Sequence, residues 1–210
     1  MSTRIVLAED HTIVRDGLRT ILEKEGFEVV AEAADGLEAV HLVRRLSPDV
    51  AVLDLAMPRM NGISAAAEIG RAGRRTRVVL LTIHTERQYV LGALRAGVHG
   101  FVVKSQAAVD LVHAIRQVTH GRKYLSPSVS QTIVSACVDE SGVPKDRLSV
   151  RERQVVQLIA EGKTTKEAAR FLGISTKTAE SHRTRLMSKL GVHETASLVR
   201  YAIREGLIQP

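Results

Sequence analysis

Short apolar runs alternate with helical patterns through the N-terminal part of the chain, and this alternation limits the possible folds more than any other feature. The runs are rich in Val, Leu and Ile and nearly continuous in apolar character, which is typical of strands buried on both faces of a parallel sheet. Helical patterns between them complete five βα units, so the sequence predicts a doubly wound, flavodoxin-like α/β domain. The predicted strands are Arg4–Ala8, Glu28–Glu32, Val50–Asp54, Arg77–Thr82 and Gly100–Lys104.

The rest of the chain follows a different pattern. Residues 122–145 contain Pro- and Gly-rich turn segments, and we interpret them as a linker with a short helix around Ser128–Val138. From Leu148 onward the periodicity is helical and strand signals are absent. The sequence therefore predicts an α/β domain at 1–121 and an all-α domain at 146–210.

The net charge of +7 is unevenly distributed. Residues 1–121 carry 15 Lys/Arg and 14 Asp/Glu, whereas residues 146–210 carry 12 and 7. This basic excess indicates a polyanionic partner for the C-terminal domain, although composition alone is equally explained by a generally basic surface. Aromatic residues make up only 3% and Trp is absent, which argues against single-stranded nucleic-acid binding by base stacking.

The N-terminal sequence and the single cysteine bear on where in the cell the protein is expected. The first apolar stretch ends after Ala8 at Glu9 and Asp10, so no secretory signal is predicted. No apolar run approaches the length of a membrane span, and Cys137 has no second cysteine to pair with. We expect a cytoplasmic protein without a membrane partner.

Polar or ionisable residues follow four of the predicted strands. The first strand runs into Glu9 and Asp10, and the third ends at Asp54. The fourth ends at Thr82 and the fifth at Lys104. Ligands of open α/β sheets collect at the carboxyl ends of the strands, so we expect these side chains to converge. Any one of them alone is better explained as a polar cap of the sheet, but all five together favour a site.

The chemistry of this set suits phosphoryl transfer to a carboxylate. Crowded carboxylates repel one another and require a cation, and Mg²⁺ prefers oxygen ligands of this kind. Asp54 would be the nucleophile that forms an aspartyl-phosphate. Mg²⁺ and Lys104 would neutralise charge on the transferred oxygens, and Thr82 supplies a hydroxyl.

Residues 1–120 resemble the receiver domain of response regulators. The resemblance implies that Asp54 is the phosphoacceptor and, with Asp10, a direct Mg²⁺ ligand. It also implies an indirect role for Glu9 and a backbone carbonyl ligand at Ala56. The matching motifs are Glu9-Asp10, Val52-Leu53-Asp54-Leu55-Ala56-Met57-Pro58 with Asn61-Gly62, Leu81-Thr82 and Gly100-Phe101-Val102-Val103-Lys104.

The same resemblance implies a switch. In such a switch Thr82 would turn toward the phosphoryl group and Phe101 would repack inward, with Lys104 contacting the phosphoryl oxygens. Phe101 replaces a frequent Tyr, so ring packing alone would report the phosphorylated state. Ala56 and His84 stand where receiver side chains tune hydrolysis, and Ala56 cannot hydrogen-bond an attacking water.

The C-terminal domain contains a predicted helix-turn-helix. Thr165–Leu172 and Thr176–Leu190 are helical patterns joined by a three-residue turn that includes Gly173, and Ser175 is a plausible N-cap. On a helical wheel the apolar face holds Ala179, Leu186 and Leu190, with His182 near them as a packing residue. The opposite face, whose size fits a major groove, carries Lys177, Glu180, Ser181, Thr184 and Ser188, bordered by Arg185.

Residues 147–208 resemble a LuxR-type helix-turn-helix domain. Together with the receiver, this resemblance implies a response regulator of the NarL/FixJ type, fed by a sensor histidine kinase. It implies binding to double-stranded DNA as a homodimer, with dimer contacts on a final helix, Glu194–Glu205. Phosphate contacts are expected from Lys163, Lys166 and Lys189. The matching stretches are Leu148-Ser149-Val150-Arg151-Glu152, 160–169, 174–182 and Lys189-Leu190-Gly191-Val192.

Two other classes of function fit the sequence less well. An aspartate-nucleophile phosphatase commonly places a second acid two residues after the nucleophile, and that position is Ala56. An RNA-binding antiterminator would end in a differently patterned helical bundle, whereas a basic helix-turn-helix face favours duplex DNA. We therefore expect no enzyme activity beyond the receiver's own phosphorylation and slow dephosphorylation.

Overall fold

The computed structural model describes residues 2–72, 75–104, 107–127, 129, 148–205 and 207–208. The chain divides into two compact units, Met1–Asp139 and Glu140–Pro210. The helix expected around Ser128–Val138 lies, apart from Val129, outside the described residues. Within the described ranges, no helix is both long and apolar enough to cross a bilayer.

A six-stranded parallel sheet forms the N-terminal unit, in the order β2-β1-β3-β4-β5-β6. The doubly wound prediction is confirmed, with small changes at the strand ends. The strands are β1 Arg4–Ala8, β2 Glu28–Ala33, β3 Val50–Asp54, β4 Arg77–Thr82, β5 Gly100–Val103 and β6 Tyr124–Leu125. The helices are α1 Thr12–Lys24, α2 Gly36–Leu46, α3 Gly62–Arg71, α4 Arg87–Arg95 and α5 Ala107–Thr119.

The two faces of this sheet are covered by different helices. Leu18 and Leu22 of α1 pack with Leu111 and Ile115 of α5 on one face. Helices α2, α3 and α4 cover the other face, in a core that includes Phe101. Every residue of β3 is buried, as expected of a strand with a helix layer on each side.

The sixth strand corrects the predicted start of the linker. Residues 124–125 pair with Gly100 and Phe101 and so belong to the sheet. Buried Ser126 holds the segment in place, because its Oγ accepts from Val103 N at 3.2 Å and donates to Asp110 Oδ2 at 3.0 Å. Two residues are too few for a periodicity to appear in the sequence, so only the tertiary pairing reveals this strand.

Four helices are described in the C-terminal unit: α6 Val150–Ala160, α7 Thr165–Leu172, α8 Thr176–Leu190 and α9 Thr195–Arg204. Capping boxes begin two of them, Ser149 with Glu152 at α6 and Thr164 with Glu167 at α7. All four helices contribute to one apolar core that includes Leu158, Leu186 and Leu198.

Candidate phosphorylation site and nucleic-acid interface

The carboxyl edge of the N-terminal sheet brings the strand-end residues together. Lys104 Nζ lies 2.8 Å from Glu9 Oε2 and 2.9 Å from Asp54 Oδ1. Glu9 is fully buried and Asp54 is only 4% exposed. One ammonium group therefore joins the ends of β1, β3 and β5 in a single charged network.

Burial and charge oppose each other at this network. Burial raises the pKa of Asp54, Lys104 lowers it, and the nearby Glu9 and Asp10 raise it again, so that the pKa lies above its usual value. Burial lowers the pKa of Lys104, but its attraction to Asp54 and Glu9 outweighs burial and raises it overall. Three carboxylates, Glu9, Asp10 and Asp54, therefore lie around the one ammonium group of Lys104, an arrangement that suits a further cation.

Asp10 and His11 form the open side of the same cluster. The ligand atoms of Glu9, Asp10 and His11 lie within 4.8 Å of one another. Asp10 Oδ1 is buried without a hydrogen-bond partner in the described structure, although His11 Nδ1 lies 2.9 Å away. The charge of Asp10 and a hydrogen bond to Glu9 raise the pKa of the exposed His11. Sequence reasoning missed His11, because a histidine beside an acid pair has no spacing that marks it.

The residues expected to act as the switch lie at the ends of β4 and β5. Thr82 is buried, and its Oγ1 accepts a hydrogen bond from His84 N at 2.9 Å. Phe101 is already packed in the core, at 1% exposure. The ring centres of His84 and of Tyr89 on α4 are 4.7 Å apart. The buried Nε2 of His84 has no hydrogen-bond partner in the described structure.

A close backbone approach holds the loop that follows β3. Gly62 N donates to Leu55 O at 2.9 Å, and a Cβ at position 62 would overlap the carbonyl oxygen of Asp54. Asn61 caps α3 by accepting from Ser64 N at 2.8 Å. Ala56 lies within this loop, partly buried against the core. Glycine at 62 therefore lets α3 begin directly beneath the candidate phosphoacceptor.

The C-terminal unit contains the predicted helix-turn-helix with the predicted bounds. Gly173 adopts a left-handed conformation (φ 63°) at the end of α7, and Ser175 caps α8 by accepting from Thr178 N at 3.1 Å. Ala179 and Leu186 are fully buried on the inner face of α8. The residues predicted on its outer face are exposed: Lys177, Glu180, Ser181, Thr184, Arg185 and Ser188.

The lysines expected to contact phosphates do not share one environment. Lys166 is exposed and Lys163 is partly exposed, both beside the start of α7. Lys189 instead places Nζ 2.7 Å from Oε2 of Glu152, a buried carboxylate on α6. Sequence reasoning missed this pair, because no periodicity links residues on two different helices.

Two family matches cover most of the chain. Residues 5–116 match the response regulator receiver domain, and residues 146–202 match the bacterial regulatory proteins of the luxR family. The chain is a response regulator. Its receiver domain and its LuxR-type DNA-binding domain confirm both resemblances seen in the sequence.

Several proteins are similar to this response regulator, two of them over nearly its whole length. The oxygen regulatory protein NreC of Staphylococcus carnosus is 36% identical over 98% of this chain and 99% of its own. A LuxR-family two-component response regulator from Aurantimonas sp. SI85-9A1 has a TM-score of 0.63 at 39% identity, over 66% of this chain and 100% of its own. An RcsB–DNA complex has a TM-score of 0.60 at 30% identity, over 96% and 98%.

Family membership establishes what this response regulator does. It is a two-component regulator in which phosphorylation of the receiver by a sensor histidine kinase controls sequence-specific DNA binding and transcription. Receiver domains typically bind Mg²⁺, and Glu9 and Asp10 of the cluster with His11 supply oxygen ligands of the required kind.

Proposed function

We propose that Asp54 accepts the phosphoryl group and that α8 reads the DNA sequence. The observation that carries the first assignment is the network in which Lys104 bridges buried Asp54 and Glu9 at the carboxyl edge of the sheet. No carboxylate elsewhere in the described residues combines this burial with an ammonium group and a neighbouring acid pair. The predicted domains, 1–121 and 146–210, remain our proposal, with the receiver extended to Leu125 because residues 124–125 pair with its sheet.

The donor set fits Mg²⁺. Asp10 Oδ1 is a buried carboxylate oxygen that lies 2.9 Å from His11 Nδ1, and Glu9 and Asp54 add two more carboxylates beside it. Asp10, Asp54 and the Ala56 carbonyl would bind the ion directly, and Glu9 would bind it through water. The bound ion would neutralise charge on the phosphoryl oxygens.

The transfer step uses the residues at hand. A carboxylate oxygen of Asp54 attacks the phosphorus of a phosphohistidine whose other ring nitrogen is protonated. The new O–P bond forms as the P–N bond breaks, and the histidine leaves as a neutral imidazole. Lys104, held by Glu9, offsets the charge that gathers on the equatorial oxygens. We infer that the chain catalyses only its own phosphorylation and slow dephosphorylation.

Thr82 connects the phosphoryl group to the rest of the receiver. A turn of its hydroxyl toward Asp54 breaks the hydrogen bond that it now accepts from His84 N. The loop that carries His84 then loses an anchor near Tyr89 and α4. Phe101 is already inward, so we propose that its ring maintains the core while the loop after Thr82 moves.

The second half of the proposal concerns DNA. Lys177, Ser181 and Thr184 lie within the first nine residues of α8, and base contacts arise from the N-terminal part of this helix in helix-turn-helix proteins. Glu180 and Arg185 are exposed beside them. Lys163 and Lys166 would contact phosphates. The exposed outer face of α8 supports this, as does the similarity to RcsB structures described as bound to DNA.

Oligomeric state and location complete the proposal. We place dimer contacts on α9, and one of the similar structures is described as two RcsB dimers bound to two parallel DNAs. Because the ligand is double-stranded DNA that the cell transcribes, the protein would act in the cytoplasm.

Phosphorylation of the purified chain tests the site. The protein is incubated with a labelled small-molecule phosphodonor and Mg²⁺, and Asp54→Asn is compared with Asp16→Asn, an exposed carboxylate on α1. We expect label on the wild type and on Asp16→Asn, and none on Asp54→Asn or when Mg²⁺ is omitted. Undiminished labelling of Asp54→Asn would show that another residue is the phosphoacceptor.

A further inference from the structure

Arg183, on α8, contacts the first residues of two other helices. Arg183 Nη1 donates to Thr165 Oγ1 at 3.0 Å, and Arg183 Nη2 donates to Thr195 Oγ1 at 3.3 Å. Thr165 is the first residue of α7 and Thr195 the first residue of α9. A single guanidinium group of α8 therefore connects the starts of both helices.

The packing of the helices shows what the hydrogen bond from Arg183 to Thr195 adds. Helix α8 packs mainly against α7 and α6, whereas α9 packs mainly against α6. The hydrogen bond from Arg183 to Thr195 is thus a direct side-chain link between α8 and α9. Glu194, the N-cap of α9, makes no side-chain capping bond, so this link also restrains the start of a helix that its own cap does not fix.

Arginine suits this position better than other residues. Its planar fork presents several N–H donors in a fixed geometry, so two acceptors in different directions can be held at once. Arg183 is partly buried and directly precedes Thr184 on the chain. Base hydrogen bonds depend strongly on distance and angle, so a small change in the orientation of α8 would weaken them.

We propose that Arg183 is a positioning residue that fixes the orientation of α8 and thereby sets the discrimination between specific and random DNA. The inference rests on the proposed reading of DNA by α8. It assigns Arg183 a role distinct from that of Lys163 and Lys166, which would add affinity for any sequence. The competing role for Arg183 is a direct phosphate contact, and the two roles predict different binding data.

The test uses the full chain and two probes. One probe is a duplex that the wild-type protein selects from a randomised pool, and the other is an unselected random duplex. Affinities are measured at several salt concentrations for Arg183→Met, which keeps the unbranched stem, and for the double variant Thr165→Val, Thr195→Val, which keeps the arginine. The control is Arg170→Met, an exposed arginine on α7.

A positioning role predicts a loss on the selected duplex alone. We expect Arg183→Met to lower the ratio of selected to random affinity by about tenfold, the order of one good base contact, with an unchanged salt slope. The double threonine variant should lower the ratio of selected to random affinity by a similar factor although its arginine is intact. Arg170→Met should keep the wild-type ratio. Far-UV circular dichroism checks folding, and if Arg183→Met does not fold, the double threonine variant decides.

Other outcomes overturn the inference. Equal losses on both duplexes, with a salt slope lower by about one, would make Arg183 a phosphate contact instead. An unchanged ratio in both variants would show that the two hydrogen bonds do not affect reading. If Ser181→Ala also leaves the ratio unchanged, the proposed reading by α8 has failed, whereas an effect of Ser181→Ala with none of Arg183→Met rejects only the positioning role.

Discussion

Lys189 at the end of α8 places its Nζ 2.7 Å from Oε2 of Glu152, and the same carboxylate accepts from Ser149 N at the start of α6. Glu152 is only 3% exposed, whereas the Lys189 side chain is about half exposed. Burial raises the pKa of Glu152, but its bonds to Lys189 and Ser149 outweigh burial and lower it overall. One carboxylate thus caps α6 and anchors the end of α8.

Removing this lysine should therefore destabilise the DNA-binding domain. Lys189→Met leaves the buried Glu152 charge without its ammonium partner, and because water reaches this pair, we expect a loss of about 1–3 kcal/mol, less than for a fully buried pair. Lys166→Met, at an exposed position on α7, is the control and should leave stability within about 0.5 kcal/mol. Urea denaturation measures both. A stable Lys189→Met variant whose salt slope for DNA binding falls would instead identify Lys189 as a phosphate contact.

Two glycines of the receiver should respond oppositely to the same substitution. A Cβ at Gly62 would overlap the Asp54 carbonyl oxygen, whereas a Cβ at Gly17, inside α1, meets no atom within 4 Å. We expect Gly62→Ala to destabilise the receiver by about 1–3 kcal/mol through overpacking. Gly17→Ala should stabilise it by about 0.5–1 kcal/mol, because alanine favours the helix. Thermal denaturation compares the two, and equal shifts would contradict the packing around Asp54.

The sequence predicted features that a regular period or a family motif carries. Five strands, the helix-turn-helix bounds and the convergence of Asp54, Glu9 and Lys104 follow from periodicity and from the rule that parallel strands end at one edge. The pair Glu152–Lys189 and the bonds of Arg183 were not predictable, because they join helices whose relative orientation the sequence pattern does not contain. Helix α3 was not marked by its own residues, since most of its buried positions hold Gly, Ser or Ala, which carry little apolar signal.

A histidine at the other edge of the receiver sheet should make stability depend on pH. His99 Nδ1 accepts from Val78 N at 3.2 Å, and His99 Nε2 lies 3.1 Å from Nη1 of Arg77. Burial lowers the pKa of His99, and the positive charges of Arg77 and Lys123 lower it further. The folded state therefore favours the neutral imidazole, and below pH about 6.5 the unfolded state binds more protons.

Stability should accordingly fall as the pH drops from about 6.5 through the lowered pKa of His99. His99→Asn removes the titration but retains an oxygen that can accept from Val78 N. We expect this variant to lose less stability than the wild type on acidification, and His41→Asn, at an exposed position on α2, to follow the wild type. Calorimetry of the receiver transition between pH about 5 and 7 gives the comparison. Parallel curves for His99→Asn and the wild type would show that His99 is not held neutral.

The last prediction concerns the outer face of α8 and separates base recognition from electrostatic attraction to the phosphates. Ser181 and Thr184 are exposed within the first nine residues of α8, and Lys163 and Lys166 lie beside the start of α7. Ser181→Ala or Thr184→Ala should lose about 1–3 kcal/mol on a selected duplex and little on random DNA, if each hydroxyl makes a good base contact. Lys163→Ala or Lys166→Ala should weaken binding to both duplexes alike and lower the salt slope by about one, because each releases one counterion fewer.

Glu180 makes this comparison sharper, because its carboxylate on the same exposed face can act in two ways. If it accepts from a cytosine amino group, Glu180→Gln should weaken binding to the selected duplex more than to random DNA. If it only repels phosphates, the same variant should strengthen binding to random DNA, and specificity would fall because the affinity for random DNA rises. Affinities for both duplexes at several salt concentrations distinguish these effects. Equal losses on both duplexes for Ser181→Ala and Thr184→Ala would show that another surface reads the DNA.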